Sequence, residues 1–180
     1  MKTDYKGYEI LIEQDEHPIN PRMENFNLGQ MICHHKRYFL GDKHNKSTDE
    51  VLNMLAGKQK DIVVLPLYLY DHSGITMNTT GFSCPWDSGM VGCISADYVN
   101  IRSWYGVKKV TKKLIEKVKL HLLQEVKCYD DYISGNIYTY TILKDNEEME
   151  CSGGYPYEDA LLEAKAIVDN MASHKMMVTA

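Results

Sequence analysis

No two cysteines of this 180-residue chain are spaced as a pair. The five, Cys33, Cys84, Cys93, Cys128 and Cys151, are scattered, odd in number and without a CxxC. That argues against a disulfide framework and a zinc knuckle, and fits reduced cytosolic thiols. Long apolar runs are missing too: no stretch approaches the roughly 20 apolar residues of a membrane helix. Met1-Lys2-Thr3-Asp4-Tyr5-Lys6-Gly7 has no apolar core of the kind a signal peptide carries. The expectation is a soluble protein in the cytoplasm. Positive charge is in deficit. A net charge of -5 offers no basic field for a phosphate backbone, so direct DNA or RNA binding is disfavoured, while the acidity is too mild for charge mimicry of DNA. Internal repeats, low-complexity tracts and linkers are absent. So are familiar catalytic templates: there is no HExxH or HxHxDH spacing, and Ser73 has no GxSxG elbow. No cofactor is implied.

What is present is enough apolar material for a core. At 44% hydrophobic residues, the chain matches one domain spanning residues 1–180. Tyr8 to Gln14 alternates as a strand. Asp15 to Gly29, with Pro18 and Pro21, is a long ordered loop. Gln30 to Tyr38 reads as a second strand, and Ser47-Thr48-Asp49-Glu50 caps a short helix that buries Val51, Leu52 and Leu55. Asp61 to Tyr70 is apolar on both faces and is expected to be covered on both, with Pro66 at a bulge or an edge. Ile75 to Asn78 and Met90 to Ser95 are short strands. Helices follow over Ala96 to Tyr105 and from the Thr111 cap to about Ser134. Ile115, Val118, Leu122, Val126 (or Glu125), Tyr129 and Ile133 form the apolar stripe of the second. Asn136 to Leu143 and Glu148 to Ser152 make a hairpin, and a last helix from Tyr157 to about Ser173 buries Leu161, Ala164, Val168 and Met171. The fold class is α+β: a largely antiparallel sheet with helices packed mainly on one face.

Chemistry concentrates in Leu65 to Gly92. The apolar strand empties into Asp71, His72, Ser73 and Gly74, and Cys84-Pro85-Trp86-Asp87-Ser88-Gly89 sets a large aromatic beside a carboxylate and a hydroxyl. Asp71, His72, Trp86 and Asp87 are expected in one surface concavity, because both segments leave neighbouring strands at one sheet edge. Trp86-Asp87-Ser88 is either a recognition loop or a structural turn with the indole at the core edge. His72 and Ser73, adjacent in an extended segment, point apart and do not make a nucleophile and its base. Cys84 reads as a small buried hydrophobe. Arg22 and Arg37 are candidates for binding a phosphate or carboxylate, or pair with acids such as Asp15 or Asp42.

Asn20-Pro21-Arg22, Asn27-Leu28-Gly29, Arg37-Tyr38, Leu40-Gly41-Asp42, LPLYLYDHSG and FSCPWDSG, with Glu125-Val126, Tyr129-Asp130 and Tyr132, cover nearly the whole chain. In these segments it resembles a family of small uncharacterised proteins encoded by bacteriophages and plasmids. Glu150-Cys151-Ser152-Gly153-Gly154-Tyr155 departs from it, where the family has a tryptophan-containing segment. The resemblance implies a setting among the accessory genes of mobile elements, where many products inhibit host defence by binding to it.

Two functions from different classes follow. One is a non-catalytic accessory protein that binds a host defence protein or a small signalling nucleotide, through Asp71, His72, Ser73, Trp86, Asp87, Ser88, Arg22 and Arg37. The other is a metal-dependent hydrolase or phosphodiesterase, with Asp42, His44, Asp71, His72 and Asp87 holding the ion. The first is preferred, because the ligand spacing matches no catalytic template. Asp and His after a strand also cap turns and bridge loops in proteins that bind nothing there.

Overall fold

The computed structural model describes residues 1–23 and 26–178. Along the chain lie β1 (Lys2–Tyr5), β2 (Tyr8–Gln14), β3 (Gln30–Cys33), α1 (Thr48–Leu55), β4 (Ile62–Asp71) and β5 (Ile75–Asn78). They are followed by β6 (Ser88–Asp97), α2 (Tyr98–Tyr105), α3 (Lys112–Ile133), β7 (Tyr138–Lys144), β8 (Glu147–Tyr155) and α4 (Tyr157–Val178). The class is α+β. The strands divide between two antiparallel four-stranded sheets, ordered β1-β2-β7-β8 and β3-β6-β4-β5, rather than forming one. The chain correspondingly clusters into two compact units, Met1–Ile19 with Gly135–Ala180, and Asn20–Ser134.

In the first unit, period-two alternation sends Tyr8, Ile10 and Ile12 of β2 and Tyr140 and Ile142 of β7 into one face, where they meet Ala160, Ala164 and Val168 of α4. The four-residue spacing of these small side chains lets the helix lie close on the sheet. Leu161, assigned to this seam from sequence, stands one position out of phase and is half-buried, and Ala160 takes its place. Both hairpins turn through two left-handed residues, Lys6-Gly7 and Asp145-Asn146, as the right-handed twist of the paired strands requires.

In the second unit, β4 is covered on both faces. Val63, Leu67 and Leu69 pack with Val118, Leu122, Val126 and Tyr129 of α3. On the other face Ile62 and Val64 join Ile32, Cys93 and the α1 residues Val51 and Met54. Pro66 lies outside the stretch of β4 that pairs with β5, and a bulge between Leu67 and Tyr68 follows it. Gly92 is required on β6: a Cβ there would sit 1.9 Å from the Ile32 carbonyl oxygen on β3. β3 ends at Cys33, not at Tyr38. The chain leaves the ladder after the His34 N–H donates to the Val91 carbonyl at 2.7 Å, and comes back as a single bridge between Ile32 and Gly41. This early exit creates the loop on which the site is built.

Candidate functional site

Arg22 is the first of the sequence-derived site residues to be settled. Its side chain is 3% exposed, and all five of its N–H groups are engaged. Nε and one terminal nitrogen donate to the two oxygens of Asp42 at 2.9 and 2.7 Å. The other terminal nitrogen donates to Asn27 Oδ1 and Glu125 Oε2, and the Gly29 carbonyl takes the last hydrogen. Burial works against the guanidinium charge, but hydrogen bonds and attraction from Asp42 and Glu125 outweigh it and hold the group above its ordinary pKa. Glu125, placed on the apolar stripe of α3, also accepts from the backbone N–H of Leu28 and Gly29. Asp42 accepts from the N–H of Met31, whose carbonyl accepts from the N–H of Asp42. Arg22 therefore staples two loops to α3 and β3, with no donor left for a ligand.

The strand-end cluster does assemble. The Asp71 N–H donates to the Asp87 carbonyl at 2.8 Å, tying the two segments together. Asp71 accepts from the Arg37 guanidinium and, at 3.2 Å, from the Tyr38 hydroxyl. Arg37 thus pairs with Asp71, an acid sequence reasoning had not offered it. Asp87 lies 3.3 Å from His72 Nδ1 and 3.6 Å from the Cys84 thiol, and the Ser88 hydroxyl donates to the Cys84 carbonyl. Asp71, Trp86, Asp87 and Ser88 line one open concavity of about 530 Å3; His72 is beside it, not part of its lining. Ser73 occupies the left-handed position of the β4–β5 turn, with φ 56°. Trp86 is 91% exposed, so its indole belongs to the surface and fills no core.

A second concavity, of about 1040 Å3, is lined by His34, His35, Lys36, Phe39 and Lys43, together with His44. The His34 and His44 rings meet edge to face, 5.0 Å between centroids. His44 Nε2 donates to the Cys33 carbonyl at 3.1 Å, leaving Nδ1 as a lone pair. That atom and His34 Nε2 are buried without a hydrogen-bond partner, a state that costs free energy unless something polar arrives. His35 Nδ1 accepts from the N–H groups of Arg37 and Tyr38, and its ring stacks on Tyr38, so it shapes the turn. Phe39 is wholly exposed at the rim. No periodicity signals such a loop, because its geometry depends on β3 ending where it does.

The five alternative metal ligands do not converge. Asp42 is taken by Arg22 and Met31, His44 by Cys33, and Asp71 by Arg37 and Tyr38, while His72 and Asp87 face each other. Among the described residues no three His, Cys, Asp or Glu side chains are grouped so as to hold an ion. Burial pushes the Cys33 thiol up to about 12 and that of Cys93 to about 11, which removes both as nucleophiles near neutral pH. Among the described residues no helix is long and apolar enough to cross a membrane. Set against known protein families, curated proteins and solved structures, the chain matches none of them.

Proposed function

We propose that this is an accessory protein of a phage or plasmid that acts in the cytoplasm of the host bacterium, where it counteracts a defence system by binding a host protein or a small signalling nucleotide. The observation that carries the reading is the Trp86 indole, 91% exposed at a concavity that Arg37, Asp71 and Asp87 also line. A tryptophan held in water on a turn tied down by Ser88 and Asp71 is costly to keep unless it meets a partner, and aromatic anchors of this kind dominate recognition surfaces. The catalytic alternative lacks such support, since its carboxylates and imidazoles are committed to separate structural contacts. The resemblance to mobile-element proteins supplies the setting.

Expression in a bacterium with an active defence system should raise the plating efficiency of a restricted phage in proportion to protein dose. Trp86→Ala should abolish protection while the far-ultraviolet spectrum and melting curve stay unchanged. A panel of defence systems against which the intact protein gives no protection would sink the proposal.

A further inference from the structure

The two concavities are neighbours with a common wall: His34, His35 and Lys36 line both. Each carries one aromatic with its face in solvent, Phe39 in the larger and Trp86 in the smaller. The charges nearby are largely spoken for. Asp42 and Glu125 share the one charge of Arg22, Asp71 pairs with Arg37, and Asp87 faces His72. What is left is cationic or imidazole: Lys36 and the buried, unpartnered His34 Nε2 on the wall, and Lys43 and His44 in the larger concavity beside it. An anion on the wall would give His34 Nε2 a use in the tautomer that carries its proton there, whereas His44 Nδ1, a lone pair, takes a donor such as a ligand hydroxyl or amine. Planar groups on either side would cover the two exposed rings.

From this arrangement we propose that the ligand is a short phosphate-linked dinucleotide, its phosphates on the His34-His35-Lys36 wall, one base against Phe39 and the other against Trp86. This rests on the binding reading above and selects the nucleotide over the host protein as the occupant of this face. Aromatic stacking is tolerant of base identity and strongest for the larger purine faces. Asp87, at the Trp86 end, accepts hydrogen bonds from an exocyclic amine. A long polyanion does not fit the same logic, because beyond these concavities it would meet a chain of net charge -5.

The test is calorimetric titration of the full chain with the 5′-phosphorylated dinucleotides pApA and pGpG, with AMP, and with adenosine. At least one dinucleotide should bind about tenfold or more tighter than AMP, and adenosine should not bind measurably. Phe39→Ala and Trp86→Ala, both at exposed positions, should each weaken dinucleotide binding about fivefold or more, the loss expected for one stacked base. Lys36→Ala should weaken the dinucleotide and AMP alike. AMP binding as tightly as the dinucleotides, or adenosine binding as tightly as AMP, would overturn the proposal. Neither dinucleotide binding, while the protein still protects phage and captures a host protein through Trp86, would overturn this inference and leave the function standing. Loss of both protection and nucleotide binding would remove the two together.

Discussion

Arg22→Leu isolates the contribution of the staple beneath the site. The substitution keeps an apolar stem and deletes five donated hydrogen bonds, leaving Glu125, 7% exposed, and Asp42, 21% exposed, without their cation. Removing one partner of a buried ion pair costs about 3–5 kcal/mol, because the remaining charge stays desolvated and unpaired. Against a total stability of about 5–15 kcal/mol for a domain, that loss is large. Urea unfolding followed by circular dichroism is the assay. With a denaturant slope of about 1–3 kcal/mol per molar, the midpoint should fall by about 2 M. Two further variants locate the effect. Arg22→Lys keeps the charge but loses the planar fork, and should recover only part of the loss. Adding Glu125→Leu to Arg22→Leu should not restore the parent, because the N–H groups of Leu28 and Gly29 then lose their acceptor. An unfolding free energy for Arg22→Leu within about 0.5 kcal/mol of the parent would refute the staple and make Arg22 available to a ligand again.

Two predictions concern the rest of the chain. Leu67→Ala, at a fully buried position of β4, should cost about 2–5 kcal/mol, whereas Trp86→Ala should change stability by less than about 0.5 kcal/mol; equal losses in chemical denaturation would mean the indole is core. In a thiol titration of the native protein at pH 8, the exposed Cys128 and Cys151 should react and Cys33 and Cys93 should not. The raised folded-state values of the last two mean that any stability they contribute is fully present below the ordinary thiol pKa and is lost as pH rises towards about 12 and 11. Rapid modification of four thiols at pH 8 would contradict this burial.

Regular elements were readable where one signal dominated. The doubly apolar β4, the stripe of α3 and the β7–β8 hairpin stand where periodicity and turn residues put them. β1 escaped because its four residues show no alternation long enough to register, although Lys6-Gly7 between two tyrosines is a usable hairpin signal. The division of strands into two sheets escaped for a different reason. The β2–β7 and β3–β6 pairings are long-range choices among strands with similar local patterns, so nothing near them in sequence marks the partner. In the site, the contact between the LYDHSG and CPWDSG segments was legible because both flank strands that pair, β4 and β6. Glu125 sat at an apolar phase of α3 and looked like a misfit; its partner Arg22 is 103 residues away. His34 was hidden by reading Gln30 to Tyr38 as one strand, which extended the alternation past Cys33, whereas the chain leaves the sheet once the His34 N–H has donated to the Val91 carbonyl.

The first unit is written in two pieces, Met1–Ile19 and Gly135–Ala180, while the second is one uninterrupted run, Asn20–Ser134. On the ribosome this sets an order of events. The β1–β2 hairpin is made first, but its β7 partner strand emerges only after the whole second unit has been synthesised. At about 5–20 residues per second, the open edge of β2 waits several seconds for Tyr138 to Leu143, its backbone groups available to any other strand. Glu9 and Glu13 alternate with the apolar residues of that edge, and charges so placed disfavour pairing between the edges of nascent copies.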